Sequence, residues 1–100
     1  KMIDYDKINE YMTTMAAKSY GGFQLTDFAF SEIFGQSQCI HENTLHDGFE
    51  YSKAKMKKDV EENTFLTTKQ KEDIKFQNED ILDFIEEAAK TYLKQQNRLL

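Results

Sequence analysis

Proline is absent from this chain of 100 residues, and glycine occurs only four times. Folds built on β-turns and long loops depend on both residues, because each supplies backbone conformations that other residues adopt poorly. With so few breakers, helix is the expected secondary structure. The single cysteine, Cys39, excludes an internal disulfide framework and fits a reducing compartment, so a cytoplasmic protein is expected. Long apolar runs are missing too. None approaches the roughly 20 residues that a spanning helix needs, mean hydropathy is -0.74, and the start shows no basic-then-apolar signal region. No membrane association is expected. Blocks of like charge are also lacking. Residues 1–38, 39–66 and 67–100 carry -2, -2 and -1 of a net charge of -5, so there is no basic tail and no disordered interaction arm.

What is present suffices for a core. Hydrophobic residues make up 39% and include eight Phe and five Tyr, enough for one domain over residues 1–100 without metals or disulfides. A first helix is expected over residues 4–20. Asp4 serves as its N-cap, Asp6 sits in the first turn, and Ile8, Tyr11, Met12 and Met15 form a one-sided apolar stripe. Gly21 and Gly22 would stop it. Thr26 caps a short helix from Asp27 to Phe34, with Gly35 past its end. Phe28, Ala29, Phe30, Ile33 and Phe34 nearly surround that helix, which predicts burial between other helices. An aromatic platform for nucleic-acid bases would need interleaved cations, and no Lys or Arg occurs from residue 19 to residue 52.

A third helix is expected from Thr44 to about Glu62, packed through Leu45, Phe49, Ser52, Met56 and Val60. Thr67 and Gln70 form a capping box for the last element. There Ile74, Ile81, Ile85, Ala88 and Tyr92 make a stripe, broadened by Leu82, Phe84, Ala89 and Leu93. Asn78 occupies a slot in the stripe where an apolar residue is expected. A continuous helix over 68–97 would be roughly 45 Å long at 1.5 Å per residue. A compact chain of this size has a radius of gyration of about 13 Å. Such a helix overhangs its domain and asks for a partner, commonly a second copy in a homodimer through the C-terminal helix. The length argument favours a break or kink, with Asn78 capping a fifth helix. The expected fold is therefore all-α, a small bundle of four helices, five with the break, around a buried Phe-rich helix.

The residues that could carry chemistry gather between Cys39 and Lys58. His41 and His46 with Glu42 look at first like the two-histidine helix motif of zinc proteases, but their spacing is five rather than four. At about 100° per residue, five positions swing the second histidine some 140° away, so a regular helix cannot present both to one ion. Cys39, His41 and His46 could share an ion only if residues 41–43 lay in a loop, and Cys39 reads more simply as a small buried hydrophobe. No orienting group or oxyanion hole accompanies the Cys–His pair, and no glycine-rich phosphate loop exists. The expectation is a protein that is not an enzyme, with no cofactor and no metal.

Two binding readings remain. Residues 79–87 hold five acids and no base: Glu79, Asp80, Asp83, Glu86 and Glu87, most of them opposite Ile81, Ile85 and Ala88. This acidic helical surface suits a basic partner protein, and makes a regulator, adaptor or inhibitor the preferred reading. Such a protein could occupy the nucleic-acid-binding surface of its partner. The alternative is a helix-turn-helix DNA-binding regulator in which helix 44–62 enters the major groove and Lys53, Lys55, Lys57 and Lys58 meet phosphates. Against it stand the long connection before Thr44, the acids Glu42, Asp47 and Glu50 at the start of that helix, and the net negative charge. Each lysine also has an acid one turn away: Glu50 for Lys53, Glu61 for Lys57, Asp59 for Lys55 and Glu62 for Lys58.

Overall fold

The structure, a computed structural model, describes residues 3–18 and 25–100. Four helices follow in order: α1 (Tyr5–Ala17), α2 (Asp27–Phe34), α3 (Glu42–Glu61) and α4 (Thr68–Gln95). Among the described residues there is no strand, only an isolated parallel bridge between Ile40 and Leu99. No helix of the described residues is long and apolar enough to cross a membrane.

Short side chains with an oxygen start three of the helices. The Asp4 carboxylate accepts from the Lys7 N–H at 3.1 Å, and Thr26 Oγ1 accepts from the Ala29 N–H at 3.3 Å. Thr67 and Gln70 close a reciprocal capping box at 3.1 and 2.9 Å, satisfying two donors that a helix start otherwise leaves orphaned. α1 ends at Ala17, short of the expected residue 20, where the Lys18 N–H reaches the Thr14 carbonyl at 3.0 Å. The expected Gly21–Gly22 stop lies outside the described residues.

α3 departs from expectation at its start. It begins at Glu42, not at Thr44, and the side chain of its N-cap His41 accepts no capping hydrogen bond. The first free N–H, that of Glu42, is taken up by the Leu100 carbonyl at 2.9 Å. Residues 98–100 lie as a strap beside residues 40–42, with Ile40 N–H to Arg98 O and Leu100 N–H to Ile40 O, both 2.8 Å. A Schellman turn delivers the strap. Asn97 adopts φ 55°, its N–H reaches Lys94 O at 3.0 Å, and the Arg98 N–H reaches Leu93 O at 2.8 Å.

The second departure is α4, which runs unbroken through Asn78, so no separate helix starts there. Its 28 residues make it about 42 Å long, and the molecule's longest extent is 44 Å. The length argument for a break fails because the radius of gyration, 14.0 Å, describes the spread of mass and not the longest axis. α3 runs antiparallel along α4 and accompanies the overhang, so a two-helix arm projects rather than a lone helix. Within it, residues 68–80 of α4 hold no buried side chain.

The core sits on the other half of α4, where Ile81, Leu82, Ile85, Ala89 and Leu93 are fully buried. Against them pack Ile8, Met12 and Met15 of α1, Leu45, Phe49 and Met56 of α3, and Phe30, Ile33 and Phe34 of α2. α2 is buried on one face only: Ala29, Phe30, Ile33 and Phe34 point inward while Phe28 stands 71% exposed. The remaining expected apolar positions divide similarly. Phe84, assigned above to the core stripe, is 56% exposed, and Cys39 is exposed rather than buried.

Three polar residues are buried among the described ones, Ser52, Glu86 and Arg98, and only Ser52 is fully so. Ser52 is fully buried on α3 and its Oγ has no hydrogen-bond partner. A buried hydroxyl without a partner carries its full desolvation penalty, and alanine has the higher helix propensity. Ser52→Ala is therefore expected to stabilise the protein by about 1 kcal/mol, read as a rise in the urea midpoint at unchanged slope. A lower midpoint would mean that the hydroxyl is paired after all.

Candidate interaction surface

The antiparallel packing of α3 on α4 sets the fate of the acidic residues. Facing side chains meet in register: His46 with Glu86, Lys53 with Asp83, Lys57 with Glu79, and Glu61 with Lys75. The Lys57–Glu79 distance is 2.6 Å and the Lys75–Glu61 distance 2.7 Å. Lys53 also lies 3.4 Å from Glu50, the one expected same-helix pair that forms. Lys57 passes over Glu61 for Glu79, and Glu61 takes Lys75 and Lys71 instead. Lys55 and Lys58 make no salt bridge with Asp59, Glu62 or any other described residue. The four lysines of the DNA-binding alternative thus divide, Lys53 and Lys57 toward α4 and Lys55 and Lys58 toward solvent. They do not form one patch.

The five predicted acids divide as well. Glu86 is buried at 5% exposure, its carboxylate 3.0 Å from His46 Nδ1 and 3.7 Å from Lys90 Nζ. Glu79 is half-buried and paired across the helices. Asp80, Asp83 and Glu87 are exposed, and Glu87 reaches only Lys90, at 3.5 Å. Sequence reasoning missed the aromatic residues beside them. Phe76 is 78% exposed and Phe84 56% exposed on the same helix, and Phe65, in the turn before α4, is 93% exposed. Phe76, Asp80 and Phe84 recur every four residues and so share one helical face. That four-residue spacing is the signal the sequence carries for this face, and it overlaps the apolar stripe at Phe84.

His46 is the one histidine with a defined partner. The hydrogen bond and charge of Glu86 raise its pKa above the ordinary 6.5. A raised histidine pKa means that the folded state binds the proton more tightly than the unfolded chain does. The pair's contribution is complete below pH 6.5 and is lost as pH rises through the raised value. The stability advantage of the natural protein over His46→Asn is expected to shrink as the pH is raised from about 5.5 to about 8.5. Proton NMR is expected to find the His46 pKa lower in Glu86→Gln. An unchanged value there would remove Glu86 as the cause. His41 and Cys39 are exposed, and among the described residues no three His, Cys, Asp or Glu side chains converge on a place for a metal ion.

No protein-family model, curated protein or solved structure matches this chain.

Proposed function

We propose that this protein is a non-enzymatic binding module, a regulator, adaptor or inhibitor, that engages a basic partner protein through the outer face of α4. One observation carries the reading: exposed Phe76 stands on the same helix as exposed Asp80, Asp83 and Glu87. Interface energy concentrates in a few aromatic anchors, and surrounding charge sets on-rate and partner choice. Glu79 and Glu86, engaged with Lys57, His46 and Lys90, belong to the scaffold of this surface. The partner's complementary face has an apolar recess ringed by lysine or arginine. The nucleic-acid-binding groove of another protein has that chemistry, and the net charge of -5 on this chain favours a different protein over a second copy.

The test uses tagged full chain, Phe76→Ala, and the double variant Asp80→Lys with Glu87→Lys, incubated with extract of the source cell with and without nuclease. A protein retained by the natural chain despite nuclease, and lost from both variants while their helical circular dichroism is unchanged, is the expected result. Lys55→Glu with Lys58→Glu is expected to retain it. Nuclease-sensitive retention that follows the lysine variant instead would overturn the proposal in favour of nucleic acid.

A further inference from the structure

A second surface lies on the seam of α1 and α3, away from the residues just discussed. Tyr5, Thr44, Asp47, Gly48 and Tyr51 line an open cleft of about 520 Å³, within the usual range for small-molecule and side-chain pockets. Its two aromatic rings lie 5.7 Å apart, centre to centre, and are tilted by 57°, so they are not stacked face to face. Gly48 is what permits this. It occupies the interior of α3, where glycine weakens a helix, and a Cβ built there would come within 2.6 Å of the Tyr5 ring. Tyr5 can lean onto the helix backbone only because the side chain is missing.

The chemistry of the lining is specific. Tyr51 is 59% exposed, and neither tyrosine hydroxyl has a hydrogen-bond partner among the described residues. Asp47 is exposed at the same cleft and makes no salt bridge, whereas nearby Glu50 and Glu86 do. Two tyrosine rings and a carboxylate line this cleft, whose described lining holds no lysine or arginine, while the neighbouring His46 is taken up by Glu86 and Glu50. An organic cation fits, and a guanidinium fits best, because it is planar and weakly hydrated, stacks on an aromatic face and still donates to a carboxylate. We propose that the Tyr5–Tyr51 cleft receives one arginine side chain presented by a partner protein. The residues differ from those of the α4 face, so this inference stands or falls independently of that surface.

Titration of the isotope-labelled full chain at low salt, followed by amide chemical shifts, tests it. The probe is an acetylated and amidated Gly-Arg-Gly peptide, compared with its citrulline counterpart, which keeps the shape and loses the charge, and with free L-arginine. Saturable shifts at Asp47, Gly48 and Tyr51 with the arginine peptide, none with citrulline, and weaker binding of free arginine are expected. Free arginine carries its own carboxylate into an acidic surface. Tyr51→Leu and Asp47→Asn are each expected to weaken binding about fivefold or more. Both positions are exposed, and the spectrum itself reports that the variants fold. Equal shifts with citrulline, a variant that binds like the natural chain, or no shifts with the arginine peptide would overturn the proposal. Tighter binding of free arginine would overturn the assignment to a protein side chain.

Discussion

Replacing Arg98 by alanine is expected to lower the unfolding free energy by about 3 kcal/mol. At about 4–8 °C per kcal/mol for a domain of this size, that is a fall in Tm of roughly 12–24 °C. Arg98 is 5% exposed and spends its guanidinium on main-chain oxygens. Its Nε donates to Gln38 O at 2.8 Å, Nη1 to Gly35 O at 3.3 Å and Nη2 to Phe34 O at 3.2 Å. Nη1 also donates to Gln96 Oε1 at 3.2 Å. No carboxylate among the described residues pairs with it. Its counter-charge is the C-terminal end of α2, where unpaired carbonyls carry partial negative charge. One side chain thus caps α2, holds the turn after it, and anchors the strap that satisfies the start of α3. Alanine leaves those carbonyls without donors, and leaving a buried acceptor unpaired costs more than forming the bond gains. Arg98→Lys is expected to recover only part of the loss, since an ammonium is a point donor and not a fork. Urea unfolding followed by far-UV circular dichroism measures both. A cost below about 0.5 kcal/mol, the scale of an ordinary surface change, would show that the strap holds without its arginine.

Arg98 also marks where sequence reasoning stops. Signals that act within a few residues were readable. The caps at Asp4, Thr26 and Thr67–Gln70, the glycine after Phe34, and the stripes of α1, α3 and the second half of α4 all follow from local hydrogen bonding and 3.6-residue periodicity. An all-helical fold followed from them. The start of α3 was not readable, because the group that satisfies the Glu42 N–H comes from Leu100, and nothing near Glu42 announces it. The acidic residues failed in the same way. Periodicity placed Glu79, Asp83 and Glu86 on one side of α4, but could not say that His46, Lys53 and Lys57 would lie opposite them. Same-helix pairing was the only arrangement the sequence could offer, and cross-helix pairing largely displaced it. Asp80, Asp83 and Glu87 are exposed acids, while the exposure of Phe76 beside them was not readable because it runs against the apolar-inside rule. The Tyr5–Gly48–Tyr51 cleft needed two helices brought together before it could be seen at all.

Asn78 offers a test in which two structures predict opposite signs. In the continuous α4 it is an interior helical residue, half-buried, whose side chain has no hydrogen bond to any described residue. Replacing it by alanine should then raise stability by about 0.5 kcal/mol through helix propensity alone. If Asn78 instead capped a separate helix, the same change would remove a cap and cost about 1 kcal/mol. Proline separates the two further. Asn78→Pro in a continuous helix removes the N–H bonded to the Ile74 carbonyl and drives the ring into that carbonyl, at about 3 kcal/mol or more. At a true helix start the missing N–H would matter little. The arm tells where this cost appears. No side chain of residues 68–80 is fully buried, so the proline variant can shed helical turns ahead of Asn78 while Ile81, Leu82, Ile85 and Leu93 stay packed. Reduced helical circular dichroism with a shallower first unfolding phase is the expected result, alongside a stabilised alanine variant. A destabilised alanine variant with a well-tolerated proline would mean that α4 breaks at Asn78. The hairpin arm that carries Phe65 and Phe76 would then be hinged, and Phe76 would move relative to Asp80, Asp83 and Glu87 of the proposed interaction face.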